Sequence, residues 1–227
     1  MKLNFSDLLN QTRLIAILRG IPAECLGDVM QALYDGGIRL AEITFDAAGK
    51  IPVSETEKHI SRAASLMEGK MLIGAGTVLS EEQINTVRDS GGTFIISPHT
   101  DADLIEKTKN AGLISIPGAM TVSEIVCAHK AGADYIKLFP ASLYGPDFFR
   151  HVSAPLPHIK MLAVSGIKLD EIPAYLQAGA VGFGLGRDIA SPELCRSQDF
   201  SAVRERAAMY IHACREALQG EKLCLQL

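Results

Sequence analysis

The stretch Asp134-Tyr135-Ile136-Lys137-Leu138-Phe139-Pro140-Ala141 is an apolar run of strand-forming residues that one lysine interrupts. The Ala-Gly-Ala segment at 131–133 before it is typical of a helix end, and Pro140 is typical of a strand end. An ammonium inside such a strand is costly to bury unless it is paired or deprotonated. Three interpretations of Lys137 therefore remain open. Its ammonium group reaches solvent, it forms a structural ion pair, or it is an amine nucleophile with a lowered pKa.

Runs of the same kind recur along the chain, separated by segments with helical spacing. Predicted strands cover residues 14–18, 40–45, 71–73, 94–98, 113–116, 134–141, 160–164 and 181–185. Strands that alternate with helices indicate a parallel sheet. Eight such units without a linker predict an α/β fold, a (β/α)8 TIM barrel in a single domain over residues 1–227, with a short N-terminal helix over 3–10. The main rival is an open doubly wound sheet, but its G-x-G-x-x-G fingerprint after the first strand is absent.

Composition excludes several classes of function. The 227 residues are 48% hydrophobic and 21% charged with a net charge of −4, so the chain can form a large core and lacks the basic patch of a nucleic-acid-binding protein. Five scattered cysteines without a Cys-x-x-Cys pair argue against a disulfide framework and a thiolate metal site. We expect a cytoplasmic protein, because Met1 to Asn10 lacks a signal-peptide core and no run is apolar enough to cross a membrane.

The carboxyl ends of the predicted strands carry the groups that could perform chemistry. In (β/α)8 barrels these ends form the active-site face. They bear an amine, a carboxylate, cations, hydroxyls and glycine loops: Arg19, Glu42, Thr77, Ser97-Pro98-His99, Pro117-Gly118, Lys137, Ser165-Gly166 and Gly184-Leu185-Gly186-Arg187. Taken alone, each of these residues has a purely structural explanation, such as an ion pair for Glu42 or a helix cap for Thr77. Their joint placement on one rim is what indicates a site.

These groups permit carbon–carbon bond chemistry next to a 2-oxo acid. A neutral lysine condenses with a ketone to form an iminium, and a nearby carboxylate moves protons at each step. An arginine and a hydroxyl can hold a substrate carboxylate. Glycine loops after the seventh and eighth strands form the usual phosphate site of such barrels. No metal and no cofactor is required, because the iminium serves as the electron sink.

The chain resembles the class I pyruvate aldolases that cleave 2-keto-3-deoxy-6-phosphogluconate (KDPG) and 4-hydroxy-2-oxoglutarate (KHG). The resemblance runs from about residue 12 to about residue 215. The most specific sequence motifs on which it rests are Gly74-Ala75-Gly76-Thr77-Val78-Leu79 and Ile136-Lys137-Leu138-Phe139-Pro140-Ala141. Shorter matches are Ala16-Ile17-Leu18-Arg19-Gly20, Glu42-Ile43-Thr44, Ile96-Ser97-Pro98 and Ile116-Pro117-Gly118.

The resemblance implies roles for residues and an assembly. It implies that Lys137 forms a Schiff base with pyruvate, that Glu42 is the general acid and base, and that the barrel forms a homotrimer. It implies that Arg19 and Thr77 lie near the pyruvate carboxylate, and that Ser165, Gly166 and Gly186 lie near the phosphate. The candidate substrate-binding residues are Arg19, Thr77, Pro98, Phe139, Ser165, Gly166, Gly186 and Arg187.

Two departures from the family pattern bear on the substrate. Family members carry an arginine four residues after the glutamate, and Asp46 stands at that position here. An acid cannot hold a carboxylate, so Arg19 and Thr77 must contribute more or the substrate must differ. In the phosphate loops, Arg187 follows Gly186 where the family often has serine, and Ser165 stands where glycine is common.

The leading hypothesis is a class I aldolase that cleaves KDPG to pyruvate and glyceraldehyde 3-phosphate, or KHG to pyruvate and glyoxylate. A second hypothesis, motivated by Asp46, is an aldolase for another 2-keto-3-deoxy acid, either unphosphorylated or differently branched. The alternatives of other classes are a ligand-binding barrel that has lost turnover and a barrel isomerase or synthase with a structural Lys137. The expected partner is a small 2-oxo acid, without nucleic acid or membrane.

Overall fold

A computed structural model describes residues 3–224 of the chain, with side chains as far as residue 219. The strands in this part are β1 Leu14–Leu18, β2 Leu40–Thr44, β3 Leu72–Gly76, β4 Phe94–Ile96, β5 Ile114–Ile116, β6 Gly118–Ala119, β7 Ile136–Leu138, β8 Met161–Val164 and β9 Gly182–Leu185. The helices are α1 Phe5–Thr12, α2 Leu26–Asp35, α3 Val53–Leu66, α4 Glu81–Asp89, α5 Ala102–Asn110, α6 Val122–Lys130, α7 Gly145–Ser153, α8 Ile172–Gln177, α9 Pro192–Arg196 and α10 Phe200–Cys224. Residues 1–2 and 225–227 of the predicted single domain lie outside this description.

The strands form one parallel sheet in the order β5-β4-β3-β2-β1-β9-β8-β7-β6. Its two edge segments, β5 and β6, are halves of one strand that Pro117 interrupts, since β5 pairs with β4 and β6 pairs with β7. The ring therefore closes through Pro117, whose carbonyl accepts a hydrogen bond from the Lys137 N–H at 2.8 Å. The prediction of a barrel is confirmed. The fifth strand ends at Ile116 as predicted, and the short strand Gly118–Ala119 beyond the proline is an element that the sequence analysis did not predict.

Helix starts follow the capping residues in the sequence. Thr121 and Glu124 form the predicted capping box at the start of α6. At α4, the Ser80 side chain accepts from the Gln83 N–H, whereas the Gln83 side chain accepts from Leu79, so the predicted box forms only in part. The predicted final helix over about 199–217 is observed to continue to Cys224. Within residues 3–224, no helix combines the length and apolarity needed to cross a membrane.

Side chains of the strands alternate between two apolar layers. On β2, Ile43 belongs to the outer layer beneath the helices and Leu40 to the barrel interior. On β7, Ile136 and Leu138 pack in the outer layer, whereas Tyr135 just before it packs inside. This alternation is the two-residue period of a strand. Inward positions on β2 and β7 therefore include Glu42 and Lys137.

Helix α1 closes the amino-terminal end of the barrel. Phe5, Leu8 and Leu9 are buried and join the interior layer. The Phe5 ring lies 5.2 Å from the Phe94 ring and 5.3 Å from the Tyr135 ring, measured between centroids. Helix α1 thus covers the interior at this end, and the carboxyl ends of the strands form its mouth.

Candidate active site

Lys137 projects into the barrel from the middle of β7. Its side chain is 7% exposed. The Lys137 Nζ lies 4.6 Å from the centroid of the Phe139 ring, and Phe139 is two residues nearer the carboxyl end of the strand. The amine therefore reaches toward the open mouth of the barrel and not toward its covered floor.

Glu42 projects inward from β2 and is 1% exposed. A Cβ at Gly76, at the end of the neighbouring β3, would collide with its carboxylate. Gly76 pairs with Thr44, two residues nearer the mouth than Glu42, so the carboxylate also leans toward the mouth. The Glu42 Oε2 is buried without a hydrogen-bond partner among the described residues. The sequence analysis did not assign a role to Gly76, although its place in Gly-Ala-Gly marks an inward position without a side chain.

The Lys137 amine and the Glu42 carboxylate face each other across the barrel. Their strands are separated by β3, β4 and the β5–β6 strand on one side and by β1, β9 and β8 on the other. Burial raises the pKa of Glu42 from 4.5 to about 7, although the charges of Lys137 and Arg19 act to lower it. Burial lowers the pKa of Lys137, and the charge of Glu42 opposes this shift while Arg19 adds to it. The pair therefore contains an amine made easier to deprotonate and a carboxyl able to exchange protons near neutral pH.

Arg19 and Thr77 meet above Glu42. The Arg19 Nη2 donates to the Thr77 Oγ1 at 3.0 Å, which joins the residue after β1 to the residue after β3. Thr77 has a positive φ of 58°, a left-handed conformation that is uncommon for a β-branched residue. Both residues lie at the mouth, where a guanidinium and a hydroxyl can bind a carboxylate.

Pro98 and Phe139 line two other sides of the mouth. Pro98 follows β4, and a Cβ at Gly118 would collide with its carbonyl oxygen, so the two loops are in close backbone contact. Phe139 is partly buried and packs on the interior layer. Together they provide an apolar wall beside the lysine.

The predicted phosphate loops lie on the same rim. Ser165 and Gly166 follow β8 with positive φ angles of 82° and 70°. A Cβ at Gly166 would collide with the Ser142 side chain, so glycine is needed for this loop contact. Gly186 follows β9, and its carbonyl accepts from two later N–H groups in a tight turn. Arg187 is exposed, and hydrogen bonds at the start of α9 lower the pKa of Glu193, with a smaller contribution from the charge of Arg187.

Asp46 accepts hydrogen bonds from the backbone of its own loop. Its Oδ1 accepts from the Ala48 N–H at 3.0 Å, and its Oδ2 accepts from Lys50 at 2.8 Å and from Ile51 at 3.1 Å. The hydrogen bond from Ala48 contributes most to lowering its pKa. This carboxylate therefore holds the loop between β2 and α3 and does not take the place of a substrate-binding cation.

A cavity of about 810 Å³ opens at the opposite end of the barrel, between α1 and the loops that precede β3, β4 and β5. Its lining includes Leu3, Phe5, Gly92 and Ile114, and none of the candidate site residues. The chemistry-bearing groups converge at the other end, so we assign the site to the mouth.

Comparisons with known proteins cover most of the chain. The family model described as "Aldolase: KDPG and KHG aldolase" matches residues 5–206. The chain is 34% identical to the 2-dehydro-3-deoxy-6-phosphogalactonate (KDPGal) aldolase of Escherichia coli, over 91% of this chain and 96% of the relative.

Two solved structures have the same fold. One is described as a native KDPGal structure, with a TM-score of 0.82 and 33% identity over 91% of this chain and 96% of that one. The other is a KDPG aldolase from Legionella pneumophila with pyruvate captured as a covalent carbinolamine. Its TM-score is 0.80, at 25% identity over 92% of this chain and 98% of that one.

Proposed function

Because this chain belongs to the KDPG and KHG aldolase family, we propose that it is a class I aldolase that cleaves KDPGal to pyruvate and glyceraldehyde 3-phosphate. The observation that carries the proposal is the buried Lys137 amine, with its lowered pKa, opposite the Glu42 carboxyl inside a barrel open at one end. A structural scaffold has no need for such a pair, because burying two ionisable groups costs stability. The aldolase that holds pyruvate as a carbinolamine supports the same chemistry.

The reaction follows from these two groups. The neutral Lys137 amine attacks the C2 carbonyl, and loss of water, assisted by protonated Glu42, gives the iminium. Ionised Glu42 then takes the C4 hydroxyl proton through a water molecule, the C3–C4 bond breaks, and its electrons move into the iminium to form an enamine. The aldehyde leaves, C3 is protonated, and water releases pyruvate and the free amine. A carboxyl with a pKa of about 7 can serve in both directions near neutral pH.

Borohydride reduction in the presence of pyruvate tests this chemistry. The wild-type protein should gain a stable adduct on Lys137, identified by peptide mass spectrometry, and Lys137→Met should gain none. Lys160→Met is the matched control, because the Lys160 Nζ lies over the Tyr135 ring near the floor of the barrel. It should be labelled like the wild type. A wild-type protein without an adduct would refute the proposal.

Sequence similarity to known proteins favours KDPGal over its epimer KDPG as the substrate. The relative named for KDPGal is 34% identical, compared with 25% for the KDPG aldolase structure. KDPG and KHG, the leading substrates of the sequence analysis, remain the alternatives. Measuring kcat/KM for both epimers by pyruvate release decides between them, and we expect a preference of about tenfold or more for KDPGal. A preference for KDPG would restore the alternative.

The phosphate end of the substrate is assigned to the loops after β8 and β9. The left-handed residues Ser165 and Gly166 and the turn at Gly186 can present backbone N–H groups to an anion. Arg187 could add a charge-assisted contact. The wild type should prefer a phosphorylated substrate over its unphosphorylated form, and Arg187→Ala should reduce that preference. An unphosphorylated substrate used equally well would favour the second hypothesis.

We also propose a cytoplasmic homotrimer. The assembly rests on the family resemblance, and the location is supported by free thiols at Cys25, Cys127, Cys195 and Cys214. Light scattering coupled to size-exclusion chromatography should give a mass of three chains.

A further inference from the structure

The carboxylate end of the site contains one cation, Arg19, and no second one at position 46. Asp46 stands where the family resemblance places an arginine, and its oxygens accept three loop N–H groups. A substrate carboxylate has two oxygens and needs several donors when it leaves water. The mouth of the barrel therefore has to supply a further donor beside Arg19 and Thr77.

Thr44 is placed to be that donor. Its neighbours Ile43 and Phe45 pack in the outer layer, so the Thr44 side chain projects into the barrel, one layer nearer the mouth than Glu42. The residue is 9% exposed, so its side chain lies mostly inside the barrel. Gly76 stands beside it in register and adds no side chain that would cover it.

Arg19 and Thr77 lie on the two sides of the end of β2, the strand that carries Thr44. Strand β2 lies between β1 and β3, so the 3.0 Å hydrogen bond from Arg19 to Thr77 spans the end of β2. Ile17 pairs with Glu42, which brings Arg19 to the level of Thr44. The three residues thus occupy neighbouring positions at the ends of three adjacent strands, one layer nearer the mouth than Glu42.

We propose that Thr44 is a substrate-binding residue that donates its hydroxyl proton to the carboxylate of the pyruvate half of the substrate, completing a binding group with Arg19 and Thr77. This inference rests on the proposed function, because the carboxylate must be attached to the carbon that Lys137 attacks. It extends that function by naming a contact on β2 that compensates for the absence of an arginine at position 46.

The test is borohydride trapping at increasing pyruvate concentration in three variants. Thr44→Val keeps the shape of the side chain and removes the hydroxyl, and Thr44→Ser keeps the hydroxyl. Thr108→Val is the matched control, because Thr108 is a threonine buried on α5 whose hydroxyl donates to the Leu104 carbonyl of its own helix. Methyl pyruvate, which lacks the negative charge, is compared with pyruvate.

The half-saturating pyruvate concentration should rise about tenfold or more in Thr44→Val, as expected for the loss of a hydrogen bond to a charged group. It should stay near the wild-type value in Thr44→Ser and Thr108→Val. The difference between Thr44→Val and wild type should disappear with methyl pyruvate. An unchanged half-saturating concentration in Thr44→Val, with normal wild-type trapping, would overturn the role of Thr44 and leave the aldolase proposal intact. A wild type that traps no pyruvate would overturn both.

Discussion

Replacing Glu42 by glutamine should stabilise the folded protein by an amount that grows with pH. The Glu42 pKa is about 7 in the folded protein, compared with an ordinary value of 4.5. Between these values the folded state holds a proton that the unfolded state has lost, so wild-type stability falls as pH rises through this window. Each pKa unit corresponds to about 1.4 kcal/mol, so the full effect is about 3 kcal/mol. Glutamine does not ionise and avoids this loss.

Urea unfolding at pH 5 and pH 8, at one protein concentration, measures the effect. The free energy of unfolding of Glu42→Gln minus that of wild type should increase by about 2.5 kcal/mol between these pH values, because a small part of the effect is already present at pH 5. Glu124→Gln is the control, because the N–H groups of Met120 and Thr121 donate to the Glu124 carboxylate and lower its pKa. The contribution of Glu124 to stability therefore changes with pH below pH 5. The difference between Glu124→Gln and wild type should be flat over the same range.

The charge of Lys137 requires a second comparison. Lys137 lowers the pKa of Glu42, so Lys137→Met should raise that pKa further and shift the window upward. Glu42→Gln should then stabilise the Lys137→Met protein at high pH by at least as much as it stabilises wild type. A difference that does not grow with pH in either background would refute the assignment of a buried, proton-holding carboxyl.

Substitutions at three further positions test other parts of the structure. Gly76→Ala should displace the Glu42 carboxylate and reduce kcat by about tenfold or more, because a Cβ there would occupy its position; an unchanged kcat would contradict this. Asp46→Ala should raise the susceptibility of the loop between β2 and α3 to proteolysis, since three N–H groups lose their acceptor, and Asp46→Asn should have a smaller effect. Phe5→Ala should lower the free energy of unfolding by about 3–5 kcal/mol with little change in kcat, because Phe5 packs at the floor. Equal unfolding midpoints would count against that packing.

Much of the fold can be predicted from the sequence, because strands that are covered on both faces are continuous apolar runs bounded by glycine and proline. Lys137 and Glu42 can be identified for the same reason, since each is an ionisable residue within an apolar strand. Their position at one end of the barrel follows from the parallel arrangement.

Contacts between distant parts of the chain cannot be predicted from the sequence in this way. The space that Gly76 leaves for Glu42 depends on strand register, and the continuation of the fifth strand beyond Pro117 depends on pairing with β7. The contacts of Asp46 depend on the path of a loop without regular spacing. Helix α9 is short and lies outside the eightfold alternation, so periodicity gave no signal for it.

The covering of the barrel floor by α1 has a kinetic consequence. With α1 covering the floor, the mouth is the route into the interior, and under the proposed function the fragment attached to Lys137 lies deeper than the aldehyde fragment. The aldehyde must then depart before pyruvate, and in the direction of bond formation pyruvate must enter first. The protein should accordingly show an ordered sequence of substrate addition, with product-inhibition patterns that identify pyruvate as the last product to dissociate.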